Sequence, residues 1–211
     1  MRPKRIILVR HGNSEGNADR ERYAIIPDHR LNLTPEGEQQ ALNAGQEIRQ
    51  LIGDETVRVY LSPYTRTRQT YQYISESIAD NVDRVLEDPR LREQDWGHLR
   101  PADQNEEIIR ERDNFSTFYY RIPNGESGAD VYDRISTFLE TMHRDFDEPN
   151  YPQNALIVSH GFAMRLFLMR WFHWTVEEFE NVRNPRNGQV VVIELQPDNH
   201  YKLIDNLKRK H

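Results

Sequence analysis

Short apolar runs alternate with longer amphipathic stretches along this chain. The runs are rich in β-branched residues, and the stretches between them carry apolar residues at helical spacing. Strands are predicted at residues 5–9, 57–62, 84–87, 155–159 and 190–195, with a weaker sixth at 201–204. This alternation is typical of a largely parallel sheet with helices packed on it. We therefore predict an α/β fold with three layers, α/β/α, around a mostly parallel sheet of about five or six strands.

Helix start signals and apolar periodicity place the predicted helices. Thr34 followed by Pro35 predicts a capped helix start, and Ser62-Pro63 predicts a second start by the same chemistry. Apolar residues at spacings of three and four predict two further helices, at 131–142 and 162–174. All of these helices are expected to pack on the sheet.

Length and composition favour one folded domain. The chain has 211 residues, of which 36% are hydrophobic and 29% charged, and it contains no repeat, low-complexity tract or Gly/Ser linker. We therefore predict a single domain over residues 1–211. Two polar stretches, 13–32 and 95–126, interrupt the alternation. The second is expected to be partly helical around residues 105–120, and both are expected to carry function. The basic tail, residues 206–211, is expected to be a solvated terminus.

Charge and residue types exclude several classes of function. With 28 Lys+Arg against 34 Asp+Glu, the net charge is −6, which argues against a general nucleic-acid binder. The absence of cysteine excludes disulfides, thiolate nucleophiles and iron–sulfur clusters. No His-Glu-x-x-His motif or clustered Asp/His spacing indicates a metal site. No apolar run approaches the roughly 18 residues of a membrane span, so we expect no membrane partner and a cytoplasmic protein.

Two histidines follow predicted strands. His11 comes directly after the first strand, between Arg10 and Gly12, and His160 comes directly after the fourth, before Gly161. Ligands of open α/β sheets bind at the carboxyl ends of the strands, so we expect both histidines to lie at one site.

Further polar residues are expected at the same edge of the sheet. Ser14 and Asn17 follow the first strand and offer hydrogen-bond donors. Arg66 follows the second strand, in the first turn of a helix whose N-terminus favours an anion. Taken singly, each could be a turn residue or a solvated arginine. Together with the two histidines they predict a pocket for phosphate.

A series of short motifs occurs in order along the chain. They are Arg10-His11-Gly12 with Ser14 and Asn17, Leu33-Thr34-Pro35-Glu36-Gly37, Ser62-Pro63 with Arg66 and Gln69-Thr70, Leu91-Arg92-Glu93 before Trp96-Gly97, Gly125-Glu126-Ser127, and Ser159-His160-Gly161. This ordered set resembles the histidine phosphatase superfamily, also called phosphoglycerate-mutase-like, over nearly the whole chain. Stretches 121–127, 131–134 and 171–179 look like its plant and fungal branch of phosphoglycerate-mutase-like phosphatases.

The resemblance implies roles for the strand-end residues. His11 would be the nucleophile that forms a phosphohistidine, with its other ring nitrogen donating to a backbone carbonyl. Arg10, Arg66 and a protonated His160 would hold the phosphoryl oxygens, so that no metal or other cofactor is required. Substrate contacts are expected from Ser14, Asn17 and Gly161.

The resemblance also implies a proton donor. Glu93 would protonate the leaving alkoxide and then, as a base, activate water. Proximity to the phosphate dianion is expected to raise its pKa. Asp95 is the alternative acid, whereas the position just after the second His-Gly, acidic in some branches, is Phe162 here. His98, just beyond Glu93, is a further histidine of interest in the segment expected to face the substrate.

The acceptor of the phosphoryl group stays open at this stage. Water would make the protein a phosphomonoesterase acting on a small phosphorylated metabolite, whereas a second hydroxyl would make it a cofactor-dependent phosphoglycerate mutase. A non-catalytic module that binds phosphorylated ligands is the third reading. Segment 95–123 mixes acidic and basic residues, so little net positive charge is expected over the pocket, and Asn13 and Gly16 depart from the mutase pattern. Hydrolysis is therefore the first reading, and the oligomeric state is not predicted.

Overall fold

The computed structural model describes residues 2–97, 99–204 and 207–209. Its strands are β1 (Arg5–Arg10), β2 (Val57–Leu61), β3 (Val82–Glu87), β4 (Asn154–Ser159), β5 (Val190–Leu195) and β6 (Tyr201–Leu203). They form one six-stranded sheet in the order β3-β2-β4-β1-β5-β6. The pairs β3–β2, β2–β4 and β4–β1 are parallel, whereas β5 is antiparallel to β1 and β6. The mostly parallel sheet is confirmed, with β3 beginning at residue 82 rather than 84.

Helices connect the strands and cover both faces of the sheet. They are α1 (Glu15–Ala18), α2 (Pro35–Ile52), α3 (Thr65–Ile78), α4 (Ala102–Phe115), α5 (Gly128–Phe146), α6 (Gly161–Phe172) and α7 (Val176–Asn181). Single 3₁₀ turns lie at Arg20–Ala24, Asp28–Arg30, Ala79–Asn81 and Pro89–Leu91. Among the helices of the described residues, none has the length and apolarity needed to cross a bilayer.

The core lies on both sides of the sheet. Side chains of a strand alternate between its two faces. Ile7 and Val9 of β1 accordingly pack with α2 and α3, whereas Ile6 and Leu8 pack with α5 and α6. These two apolar clusters confirm the three-layer α/β/α architecture.

One predicted helix start is wrong. Helix α3 begins at Thr65, with Tyr64 at its N-cap, and not at Ser62-Pro63. The Ser62 backbone N–H donates to the Val158 carbonyl at 3.0 Å, which extends the contact between β2 and β4. The Ser62 side chain bonds a histidine and is not available as a cap. In contrast, the Thr34 hydroxyl accepts from the Gly37 N–H at 3.1 Å, so the predicted start of α2 is confirmed.

A close backbone contact holds the loop after β1 against α2. A Cβ atom on Gly12 would overlap the Gly37 carbonyl, and one on Gly37 would overlap the Asn13 carbonyl. The Gly12 N–H also donates to the Thr70 hydroxyl of α3 at 3.1 Å. Glycine at both positions therefore lets two helices fix the loop that carries His11.

Part of the predicted solvated tail is attached to the fold. Leu207 packs against the core on the α5 and α6 side, and Arg209 pairs with Val182 in an isolated antiparallel bridge. The expectation of a solvated tail is therefore wrong for Leu207, whereas Lys208 and Arg209 are exposed. His98 and tail positions 206, 210 and 211 lie outside the described residues.

Candidate active site

The carboxyl ends of β1, β2 and β4 border a cavity of about 740 Å³. The three strands are neighbours in the sheet, so the residues that follow them meet at one edge. Lining residues of the cavity include Arg10, His11, Asn17, Arg66 and Glu93. His160 is fully buried, and its ring centroid lies 5.2 Å from that of His11. The expected meeting of the strand-end residues is therefore found.

His11 is held as one tautomer. Its Nδ1 lies 2.7 Å from the Gly12 carbonyl oxygen, which can only accept, so Nδ1 carries the proton. Its Nε2 accepts from Arg66 Nε at 3.2 Å and therefore carries the lone pair. Burial, followed by the charges of Arg66 and Arg10, lowers the pKa of His11 well below 6.5. The ring is therefore neutral, with an unprotonated nitrogen beside the cavity.

His160 is also neutral, which differs from the protonated ring that was expected. Its Nε2 and the Ser62 hydroxyl are hydrogen-bonded at 2.8 Å. Burial, followed by the charge of Arg66 and the nearby His11, lowers the pKa of His160 well below 6.5. Its Nδ1 is buried and finds no hydrogen-bond partner in the described part of the chain. A protonated His160 would need an anion beside it, because only an opposite charge can offset the free-energy cost of burying the charged ring.

Arg66 has a counter-ion that the sequence analysis missed. Its Nη1 donates to the Asp28 backbone carbonyl at 2.7 Å and to Asp28 Oδ1 at 2.8 Å. Its Nη2 contacts Asp28 Oδ2 at 3.3 Å. Arg66 is 2% exposed, and burying such a cation without a counter-charge would be costly. The only sequence signal for Asp28 is its place in the polar stretch 13–32.

Arg10 reaches the cavity from the end of β1. Its Nη1 donates to the Pro185 carbonyl at 2.7 Å, in the loop before β5. Its Nε is buried without a hydrogen-bond partner among residues 2–97, 99–204 and 207–209. Burial lowers the pKa of Arg10, and the nearby Glu93 carboxyl raises it. Arg10 therefore retains a free donor next to His11.

Glu93 meets the requirements of a proton donor better than Asp95 does. Its Oε1 accepts from the Gln94 N–H at 3.0 Å and its Oε2 from the Phe162 N–H at 3.4 Å. Burial raises the pKa of Glu93 above its ordinary value, against the opposing effects of the Gln94 N–H, Arg66 and Arg10. Asp95 is exposed, and its Oδ1 accepts from the Gly97 N–H at 2.7 Å in a turn.

Arg134 of α5 supports the segment that carries Glu93. It donates to the carbonyls of Arg90, Arg92 and Glu93 at 2.6 to 3.0 Å. Its Nη2 also pairs with Glu126 at 2.9 Å. Burial favours the neutral form of Glu126, but the hydrogen bonds from Arg134 outweigh it and lower the pKa of Glu126. These residues were marked in the sequence only as motif positions.

The three expected substrate contacts lie in different places. Asn17 lines the cavity, and its Oδ1 accepts from the Ser14 N–H at 3.3 Å and from Asn187 Nδ2 at 2.9 Å. Ser14 is fully buried and lies outside the lining. Gly161 begins α6, where a Cβ would come within 3.2 Å of Arg10 Nε. Contact of these residues with phosphate stays a prediction.

The cavity wall is more basic than segment 95–123 suggested. Arginines at positions 20, 92, 100, 112 and 165 line it. The acidic residues of the segment that follow Asp95 are exposed, namely Asp103, Glu106, Glu107, Glu111 and Asp113. Of these arginines only Arg100 and Arg112 belong to segment 95–123, and Asp95 of the same segment also lines the cavity. The positive charge of the wall therefore comes mainly from residues outside that segment.

No three metal-ligating side chains come together within the described ranges. The arrangement combines a neutral imidazole nitrogen, two guanidinium groups and a carboxyl group with a raised pKa around one cavity. Such a set suits the transfer of a phosphoryl group.

The sequence model of the histidine phosphatase superfamily (branch 1) matches residues 6–205, nearly the whole chain. The chain belongs to this superfamily. It is a phosphatase-type enzyme of the histidine phosphatase superfamily, as the motifs indicated.

Two curated relatives match nearly the whole chain. A phosphoglycerate mutase-like protein of Arabidopsis thaliana is 44% identical over 214 residues, which cover 95% of this chain and 68% of that protein. The broad-range acid phosphatase of Saccharomyces cerevisiae is 30% identical, covering 96% of this chain and 89% of the yeast protein.

A solved structure has the same fold. The mycobacterial glucosyl-3-phosphoglycerate phosphatase superposes with a TM-score of 0.72, covering 99% of this chain and 100% of its own. The two sequences are 18% identical, so this likeness shows the architecture alone.

Proposed function

We propose that this protein is a phosphomonoesterase that transfers the phosphoryl group of a small phosphorylated metabolite first to His11 and then to water. The observation that carries the proposal is the state of His11. Its Nε2 lone pair is held beside the cavity by the Gly12 carbonyl and Arg66, and Glu93 lines the same cavity. A nucleophile and an acid with a raised pKa in one cavity are the two groups that this reaction needs.

In the first step, His11 Nε2 attacks phosphorus and the bond from phosphorus to the ester oxygen breaks. The Glu93 carboxylic acid gives its proton to the departing oxygen, so the leaving group departs as an alcohol. The free Nε of Arg10 and the guanidinium of Arg66 stabilise negative charge on the phosphoryl oxygens. The product is a phosphohistidine with Glu93 as a carboxylate.

In the second step, the Glu93 carboxylate takes a proton from water. The resulting oxygen nucleophile attacks phosphorus, and the bond from phosphorus to His11 Nε2 breaks. Inorganic phosphate leaves, Glu93 is again protonated and His11 is neutral. His160 supports both steps if it takes up a proton when the anion arrives, since its Nδ1 is then a second donor.

The proposal is tested by phosphate release from an aryl phosphate and from 3-phosphoglycerate, with a metal chelator present throughout. We expect release from at least one ester that persists in chelator. Rapid quenching should trap phosphoprotein that is labile in acid and stable in base, as a phosphoramidate is. Loss of release in chelator would contradict the metal-independent reaction, and phosphoprotein stable in acid would contradict a histidine intermediate.

Asp28 gives a further prediction, because it shares Arg66 with any incoming phosphate. Replacing Asp28 with asparagine removes a negative charge from the cavity while keeping the side-chain size. The inhibition constant for inorganic phosphate is expected to fall about three- to tenfold. The Asp28 charge also raises the pKa of Glu93. The alkaline limb of the pH profile is therefore expected to move to lower pH in this variant.

Asp19→Asn is the matched control for this prediction. Asp19 lies in the same polar stretch, pairs with Arg22 and lies outside the cavity lining. An unchanged phosphate affinity in Asp28→Asn, or a shift of similar size in both variants, would show that Asp28 does not compete with phosphate.

A further inference from the structure

A tight turn, residues 186–189, leads into β5. The backbone N–H of its fourth residue donates to the carbonyl of its first at 3.0 Å, which is the pattern of a β-turn. Gly188 has a φ of 70°, a conformation that favours glycine. Its N–H donates to the carbonyls of Arg10 and His11 at 3.1 and 3.2 Å. The turn is therefore fixed against the end of β1, and Asn187 is held next to the loop that carries His11.

The side-chain amide of Asn187 uses both of its hydrogens. Its Nδ2 donates to the backbone carbonyl of His11 at 3.2 Å and to Asn17 Oδ1 at 2.9 Å. A backbone carbonyl can only accept a hydrogen bond, so the Asn187 atom that faces it is the nitrogen. The main chain of His11 therefore determines which way the Asn187 amide points.

The side-chain amide of Asn17 is oriented in the same manner. Its Oδ1 accepts from the Ser14 backbone N–H at 3.3 Å and from Asn187 Nδ2. A backbone N–H can only donate, so the Asn17 atom between these two donors is the oxygen. Asn17 Nδ2 donates to no residue of the described chain, and Asn17 is exposed where it lines the cavity. Its N–H groups are therefore free to bind a ligand.

Asn187 supplies the stronger of the two restraints on Asn17. The bond from Ser14 is long for an N–H···O bond, whereas the bond from Asn187 has an ordinary length. An amide turned by half a rotation would place its N–H groups against two other donors. It would also present its oxygen to the cavity, where an oxygen repels phosphate. The two ends of an amide have nearly the same shape, so hydrogen bonds must decide which end faces the ligand.

We propose that Asn187 is a positioning residue, which holds Asn17 so that its Nδ2 donates to the phosphoryl group. This inference rests on the proposed phosphomonoesterase reaction and on the phosphate contact predicted for Asn17. Asn187 itself lies outside the cavity lining, so it acts through its neighbour and not on the substrate. A phosphoryl group offers only acceptor oxygens at neutral pH, and the orientation of Asn17 therefore decides between a favourable and an unfavourable contact.

The test is a double-mutant cycle on the affinity for inorganic phosphate. Phosphate affinity is measured by calorimetry and as the inhibition constant against an aryl phosphate. Asn17→Ala is expected to weaken phosphate binding about tenfold, and Asn187→Ala about three- to fivefold. In the Asn17→Ala background, the further change Asn187→Ala is expected to weaken binding less than about twofold, because its target is already gone. Loss of packing alone would give the same factor in both backgrounds.

Asn17→Asp tests the orientation of the amide directly. A carboxylate can accept from Ser14 and Asn187 as the amide oxygen does, but it has no N–H to offer a ligand. Phosphate affinity is expected to fall at least as far as in Asn17→Ala, because an oxygen then faces the anion. Wild-type affinity in Asn17→Asp would show that Asn17 does not donate to phosphate and would overturn the proposal.

Asn43→Ala is the matched control. Asn43 Oδ1 accepts from Gln39 Nε2 at 3.0 Å, a pair of side-chain amides like that of Asn17 and Asn187, but it lies exposed on α2 and outside the cavity lining. Phosphate affinity is expected to stay at the wild-type value. Asn187→Ser also removes the amide and repeats the cycle if Asn187→Ala does not fold.

The outcomes separate this inference from the proposed reaction. Equal losses from Asn187→Ala with and without the Asn17 side chain, in a protein that still releases phosphate, overturn the positioning role and leave the phosphatase reaction standing. If no ester is turned over, the calorimetric cycle decides alone, and coupled losses of phosphate binding support the positioning role although hydrolysis has failed. A wild-type protein that neither turns over an ester nor binds phosphate overturns both.

Discussion

Replacing His11 with alanine is expected to reduce phosphate release by about 10⁴-fold or more, because the variant has no atom that can accept the phosphoryl group. The neighbouring donors of Arg10 and Arg66 remain, so substrate can still bind while the covalent step is lost. Rates measured at saturating aryl phosphate and the yield of acid-labile phosphoprotein both report the loss. Phosphoprotein should be absent from the variant.

His200→Ala provides the control for this experiment. The His200 side chain is 85% exposed and contacts only the neighbouring Asp198 among the charged groups described. It is expected to retain wild-type turnover. Release by His11→Ala within tenfold of wild type, with a wild-type melting temperature, would remove His11 as the nucleophile.

His11 also determines the acid side of the pH profile. The nucleophile must be neutral, and burial with two adjacent guanidinium groups lowers its pKa well below 6.5. Activity is therefore expected to persist as the pH falls through 6.5 and to be lost only below it. An acid limb at or above pH 6.5 that disappears when substrate is saturating would instead report substrate binding.

Glu93→Gln is expected to slow turnover of esters with poor leaving groups by about 10²–10⁴-fold, the usual contribution of a general acid. Glutamine has nearly the same shape and cannot give a proton to the departing oxygen. An aryl phosphate with an acidic phenol needs less protonation, so its first step should be much less affected. The measurement is kcat/KM across a series of esters with increasing leaving-group pKa.

The alkaline side of the pH profile provides a second readout for Glu93. Its pKa is raised by burial, and the acid must be protonated in the first step. Activity should therefore fall as the pH rises through this raised pKa, and Glu93→Gln should lose that limb. Equal losses of kcat/KM for esters with good and with poor leaving groups would show that Glu93 is not the general acid. A selective loss in Asp95→Asn would transfer the role to Asp95.

The sequence alone predicted the fold and the edge of the sheet at which the candidate site residues meet. Apolar runs with β-branched residues were sufficient to predict β1, β2 and β4, because these strands are buried along most of their length in the parallel part of the sheet. The edge strand β3 is mostly exposed, and its predicted start was two residues late. The prediction that His11 and His160 lie together at the ends of strands did not require knowledge of the order of the strands in the sheet. All parallel strands end at the same edge, and β1 and β4 are neighbours there.

The sequence signal for a helix start was misleading where the candidate capping side chain bonds a distant residue and not the helix. Thr34 caps α2 as predicted, because its hydroxyl can accept from the Gly37 N–H while it donates to the Asn13 carbonyl at 3.3 Å, so the distant partner does not displace the cap. Ser62 has the same local sequence signal but bonds His160, 98 positions away in the chain. The first turn of α3 therefore starts later, at Thr65.

The charge state of the site was decided by the tertiary structure. Sequence analysis expected a protonated His160 from the resemblance, but its pKa depends on burial and on the distance to Arg66. The ion pair between Asp28 and Arg66 also depends on the tertiary structure, because these two residues meet only when the polar stretch 13–32 folds over the start of α3. Electrostatic effects depend on distance and on exclusion of water, neither of which is a property of the sequence order.

The distribution of charge around the cavity depends on the tertiary structure for a similar reason. Segment 95–123 has nearly balanced charges, yet Arg112 faces the cavity while the acidic residues of α4 are exposed. Arg165 joins Arg112 from a helix that lies far along the chain. The sequence by itself determined the sheet and the edge at which His11, Arg66 and His160 meet, because local patterns and strand ends carry that information. Only the packing of distant segments decided which charges face the cavity, because a side chain's direction and its neighbours are set by contacts across the fold.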